Sequence, residues 1–215
     1  MRVLALTVGL LTLALLWAGP LPERAQVSFA AHMLMHMGVV AVAAPLIAVG
    51  FAGTRWDALH RLPPVAAALP AALFELLVVW GWHAPALHDA ARSSTDLRVL
   101  EQGSFLVAGL VVWLASIGAP ARAGAGVVCL LLTSMHMTLL GSLLALAPRP
   151  LYACSQLCAA GATRTPLEDQ SLGGVVMLTV GGLVYLVGGL AVMAGLLRER
   201  LATPASPGLH TGRAR

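Results

Sequence analysis

Long apolar runs alternate with short polar breaks along the whole chain. Six runs approach the roughly 20 apolar residues that a bilayer crossing needs, at about 3–19, 27–51, 64–83, 98–118, 122–147 and 172–197. Charge collects in the breaks. Arg55, Asp57, His60 and Arg61 fall in 52–63, and His88, Asp89, Arg92 and Asp96 in 84–97. Thr165-Pro-Leu-Glu-Asp-Gln170 falls in 148–171. Pro45 lies inside the second run and is expected to kink it, because proline removes a helical N–H and crowds the preceding turn. The pattern predicts an all-α fold: a polytopic membrane helix bundle of about six transmembrane helices, one domain over residues 1–201. A Pro/Gly-containing tail, 202–215, is predicted to be disordered. Residues 3–19 fit a signal peptide loosely, but the long apolar run and Pro20 directly after it favour a retained first helix.

Composition supports the membrane reading. Of 215 residues, 59% are hydrophobic and 10% charged, far below the ~25% charge of soluble domains. Mean hydropathy is +0.86. All thirteen basic residues are arginines, and no basic run with interleaved aromatics exists, so the net charge of +4 speaks for topology and not for nucleic-acid binding. Six crossings put both termini on one side. Arg2, Arg55, Arg61, Arg122, Arg198, Arg200, Arg213 and Arg215 lie there, against Arg24, Arg92, Arg98, Arg149 and Arg164 opposite. The excess places both termini in the cytoplasm of a cell-membrane protein.

The chemistry centres on Ala31–Gly38, A-H-M-L-M-H-M-G. His32 and His36, spaced i, i+4, share a helical face with Met35, while Met33 and Met37 pair on a second face. Ser134-Met135-His136-Met137-Thr138 repeats the residue types a hundred positions later. Imidazole and thioether both bind copper, and thioether favours Cu(I). With the termini inside, His32 and His36 lie about 8 and 14 Å from the outer end of their helix, His136 about 16 Å and Met177 about 8 Å. His83 closes its helix on the same side. Polar side chains at such depth face the bundle interior, because lipid cannot satisfy them. The expected core ligands are therefore His32, His36 and His136. His83 is an outer-end ligand or relay, and Met33, Met35, Met37, Met135, Met137 and Met177 are candidate soft ligands. Asp169 and Gln170 are expected to orient a ligand imidazole from the outer shell.

Other polar residues have plainer readings. Glu75, mid-helix, needs a proton or a polar partner. Glu101 complements the N-terminal dipole of its helix. His88 is a loop residue and a possible outer ligand; His60 and His210 are solvated. Cys154-x-x-x-Cys158 is compatible with a disulfide or a soft-metal point. The chain lacks H-E-x-x-H, a P-loop, a nucleophile elbow and C-x-x-C-H, which leaves the hydrolase, NTPase and covalent-haem readings without an anchor.

Several strings occur together: H-M-x-x-H-M at 32–37, Trp82-His83-x-Pro85-x-Leu87-His88-Asp89, Met135-His136-Met137-x-Leu-Leu-Gly141, and Pro166-Leu-x-Asp-Gln170-x-Leu-Gly-Gly174. In order and spacing they resemble the polytopic, Gram-positive CtaG-type assembly factors of cytochrome c oxidase. The resemblance implies copper handling during maturation of the oxidase copper centres, without a catalytic reaction. It implies haem–copper oxidase subunits or another copper chaperone as partners. The matching residues are His32, His36, His83, His136, Asp169 and Gln170. Where such proteins often carry a histidine, this chain has Gln102. The expected function is a membrane copper-binding protein of oxidase assembly. A haem-binding membrane cytochrome with His axial ligands and a metal-free interaction subunit stand as alternatives.

Overall fold

A computed structural model of the protein describes residues 1–57, 59–117, 120–152 and 164–202. Among the described residues the regular structure is entirely helical. Helix α1 (Arg2–Ala18) bends by 49° into the short α2 (Leu21–Val27), where Gly19 turns extended after capping Leu15 O and Pro20 has no N–H. Then come α3 (Phe29–Phe51), α4 (Pro64–His83), α5 (Pro85–Ser93), α6 (Thr95–Ser116), α7 (Ala123–Ala145) and α8 (Pro166–Ala202). Helices α3, α4, α6, α7 and α8 are long and apolar enough to cross a membrane, and α1–α2 makes a sixth span if the bent pair counts as one. The chain is an all-α polytopic bundle.

The expected loop 84–97 is helical, and so is the end of the expected loop 148–171 from Pro166 on. The break 84–97 folds as α5, because Pro85 presets the helical φ at a first-turn position that needs no N–H. Ser94 then caps α6, which starts three residues earlier than its apolar run. Helix α8 starts at Pro166 and not at 172, set by a capping box in which Thr165 and Glu168 satisfy each other's backbone N–H groups. That shift puts Met177 about 16 Å into its helix, twice the depth expected. Cys154, Cys158, His210 and the 203–215 tail lie outside the described residues.

Helix α3 is the axis. It packs against α1, α6 and α8, with α2 folded against its start, while α7 packs against α4, α6 and α8. Pro45 does not break α3. Instead a π-helical segment, Gly38–Ala43, precedes it, and Ala44 N–H reaches Val39 O. In this register the carbonyl of Val40 faces the missing N–H of Pro45. Trp113 Nε1 (3.1 Å) and Tyr185 Oη (3.3 Å) donate to it instead. Tyr185 Oη also lies 2.6 Å from Glu75 Oε1, so the mid-helix carboxyl joins α4 to α8.

The glycine-rich stripe of α8 packs inside the bundle. A Cβ on Gly174 would lie 2.4 Å from Ala145 N, and one on Gly141 would lie 2.6 Å from Leu178 N. Only glycine permits this close α7–α8 approach.

Candidate metal centre

Three helices bring four histidines to the end of the bundle where α3 begins. The start of α3 is pinned first. Ser28 Oγ accepts from Ala31 N–H (3.2 Å) and donates to Asp169 Oδ1 (2.8 Å), and Asp169 Oδ2 accepts from Phe29 N–H (2.5 Å) and Ala30 N–H (3.4 Å). A carboxylate from α8 thus sits on the positive end of α3. One and two turns on, His32 and His36 point inward, 1% and 0% exposed.

His83 comes from the last turn of α4. Its Nδ1 lies 2.6 Å from Val79 O. A carbonyl only accepts, so Nδ1 carries the proton and Nε2 keeps its lone pair. His88 comes from α5 and is buried at 4% exposure. The ring centroids of His32 and His88 are 5.1 Å apart, those of His32 and His83 6.2 Å, and those of His36 and His83 5.5 Å. Phe105 packs on His36 at 3.9 Å, and Tyr152 on His88 at 4.2 Å.

Glu101 of α6 completes the group. Its Oε1 lies 3.8 Å from His32 Nε2, and its Oε2 accepts from Arg92 at 2.6 Å. Arg92 also donates to Ala25 O at 3.0 Å, tying α5 to α2. One ligand atom from each of His32, His88 and Glu101 lies within 4.8 Å of the others. Both ring nitrogens of His32 and of His36, Nε2 of His83 and Nδ1 of His88 are buried without a hydrogen-bond partner, as is Glu101 Oε1. Buried polar atoms are normally paired, so this set is disposed for a ligand. Burial first, and the charge of Arg92 second, push the His88 imidazole down to about 2, which keeps it neutral. Burial, and then the charge of Asp89, raise the Tyr152 phenol above its ordinary range. A set of imidazoles with unpartnered ring nitrogens and a carboxylate at its edge fits a transition-metal ion.

The sequence-derived residues divide. His32, His36 and His83 meet. His136 is buried on α7 with both nitrogens unpartnered, but among the described residues no ring contact joins it to the other three. Met33, Met37, Met137 and Met177 are fully buried in the hydrophobic core. A Cβ on Gly181 would lie 3.1 Å from Met37 Sδ and 3.3 Å from Met137 Cβ, so these side chains fill the α3–α7–α8 seam below the histidines. Met35 stands beside Glu101 and Arg92. Met135 is 68% exposed on the outside of the bundle.

Asp169 and Gln170 differ from their expected role of steadying an imidazole, since their hydrogen bonds go elsewhere. Asp169 bonds Ser28, Phe29 and Ala30. Gln170 accepts from Leu151 N–H and donates to Leu144 O. They brace the backbones that carry the site. Glu101, read as a complement to the N-terminal dipole of its helix, is a fully buried carboxylate paired with Arg92. His88 is a buried neighbour of His32, and His60 is exposed. Arg92 and Tyr152 escaped the sequence reading. Tyr152 Oη donates to His83 O at 3.1 Å, closing the cluster from the segment after α7. A signal for His88 and Arg92 existed in their i, i+4 spacing after Pro85.

No curated protein and no solved structure gives a significant match to the chain. The profile of the cytochrome c oxidase caa3 assembly factors (Caa3_CtaG) matches residues 1–199. A match over that much of a multi-pass helical chain establishes its family: the protein belongs to the cytochrome c oxidase caa3 assembly factors.

Proposed function

We propose that the protein serves oxidase assembly by binding one copper ion among His32, His36, His83 and His88, with Glu101 at the edge of the set. The observation that carries this reading is the group of buried imidazole nitrogens without hydrogen-bond partners, gathered from three helices. Imidazole accepts copper, zinc and iron alike. Copper is favoured because the oxidase that this family assembles depends on copper centres. A single ion is favoured over haem because Phe105 packs on the His36 ring and Tyr152 on the His88 ring, on faces a porphyrin would need. The thioethers of Met33, Met37, Met137 and Met177 support the site as packing. His136 and Met135 stand outside it. With both termini cytoplasmic, the site faces the outer side, and the protein holds copper for an oxidase subunit or another chaperone without a catalytic step.

The test is metal analysis of protein purified in detergent and loaded with Cu(I), together with an absorption spectrum. About one copper per chain with no Soret band supports the reading, provided that His32→Ala and His88→Ala lower the content. A Soret band, or undiminished copper in a variant lacking all four histidines, overturns it.

A further inference from the structure

A groove of about 470 Å³, in the size range of small-molecule sites, runs beside the histidine cluster between the α1–α2 bend, α3 and the first half of α6. Its walls include Trp17, Met35, Arg92, Arg98, Gln102 and Gly103. The residues follow an order of depth. Arg98 is about 4.5 Å along α6 from Thr95, and Gly103 about 12 Å. Trp17, 37% exposed, stands at the end of α1, where aromatic side chains anchor at a membrane interface. Val99, also in the wall, is 68% exposed, so the groove opens sideways, towards acyl chains. Cationic groups therefore sit at headgroup depth, with an apolar channel below them.

The charges do not cancel. Among the described residues, three charged side chains face the groove: Arg92, Arg98 and Glu101. Glu101 is taken by Arg92 at 2.6 Å. Arg98 donates to the neutral hydroxyl of Thr95 at 2.9 Å, so two arginines face one carboxylate in this wall. The Arg92 side chain is 6% exposed, and its Nε–H is buried without a partner. A free cation would be repelled here. An anion with polar oxygens would be held by Arg98 and by Arg92 Nε, and its apolar part would fill the channel past Met35 and Gly103. We propose that this groove binds one anionic phospholipid from the leaflet at this end, phosphate on Arg98 and Arg92 and an acyl chain alongside Gly103. The lipid would touch Arg92, the residue that braces Glu101 beside His32.

Native mass spectrometry tests this on the full chain, released from micelles doped with equal amounts of dioleoylphosphatidylglycerol and dioleoylphosphatidylcholine. One phosphatidylglycerol is expected to stay bound in preference to phosphatidylcholine. Arg98→Gln is expected to reduce that preference about fivefold, the effect of one basic group beside an anionic headgroup. Gly103→Phe is expected to reduce retention of both lipids. A Cβ there meets nothing within 4 Å, so the ring enters the channel without straining the helix. Equal retention of the two lipids by the wild-type protein overturns the proposal, as does unchanged retention in Gly103→Phe. Displacement of the lipid by millimolar inorganic phosphate overturns the assignment to a lipid.

Discussion

Asp169 accepts the backbone N–H of Phe29 at 2.5 Å, across 140 positions of sequence. The bond couples the first turn of α8 to the first turn of α3, one turn before His32. Asp169→Ala removes both the cap on Phe29 and Ala30 and the Ser28 contact. The expected cost is about 1 kcal/mol of stability. A lower thermal midpoint together with weaker copper retention is the expected result. A variant that melts like the wild type shows that α3 needs no cap from α8.

Glu101→Gln leaves the Arg92 guanidinium buried without its counter-charge. Breaking a buried pair from one side costs about 3 kcal/mol or more, whereas replacing both partners by apolar residues is often tolerated. Glu101→Gln is therefore expected to lower the thermal midpoint more than the double variant Glu101→Leu/Arg92→Met. The reverse order counts against an ion pair that organises this end of the bundle.

His83→Ala and His136→Ala separate the histidine cluster from the motif that the sequence singled out. Loss of His83 removes an imidazole whose Nδ1–H is already fixed on Val79 O, which leaves the Nε2 lone pair free to ligate. Copper affinity is expected to fall at least about tenfold, the scale of ligand-shell losses. His136→Ala is expected to hold the wild-type copper content. Equal losses in both variants would return His136 to the site.

His88 carries a pH dependence. Its imidazole is pushed down to about 2 in the folded protein, from an ordinary 6.5. Between those values the unfolded chain binds the extra proton and the folded chain does not. The stability tied to neutral His88 is thus full above about pH 6.5 and is lost progressively as pH falls. His88→Asn is expected to flatten the fall of the thermal midpoint between pH 6.5 and 4. A parallel fall in both proteins would mean that other groups govern acid sensitivity.

Tyr185→Phe removes the hydroxyl beside Glu75 Oε1, while the Val40 carbonyl keeps its bond from Trp113 Nε1. An unsatisfied buried acceptor costs about 1 to 3 kcal/mol. The thermal midpoint is expected to drop without a change in copper content, since this network lies away from the histidines. Copper loss at an unchanged midpoint would contradict a purely structural role.

The apolar runs determined the membrane class, the helical fold and the centres of the spans, because bilayer burial is a property of composition over some 20 residues. The i, i+4 spacing of His32 and His36 determined that they share a face, because helical period alone decides it. Neighbours across the bundle were another matter. His88 and Glu101 join His32 because α5 is a helix laid over the bundle end and Ser94 starts α6 early. Both features come from short polar segments whose helicity depends on what they pack against. The thioethers of Met37, Met137 and Met177 went into the α3–α7–α8 seam because glycines on α7 and α8 draw those backbones close. That approach depends on which faces meet, and so only the tertiary structure decided it.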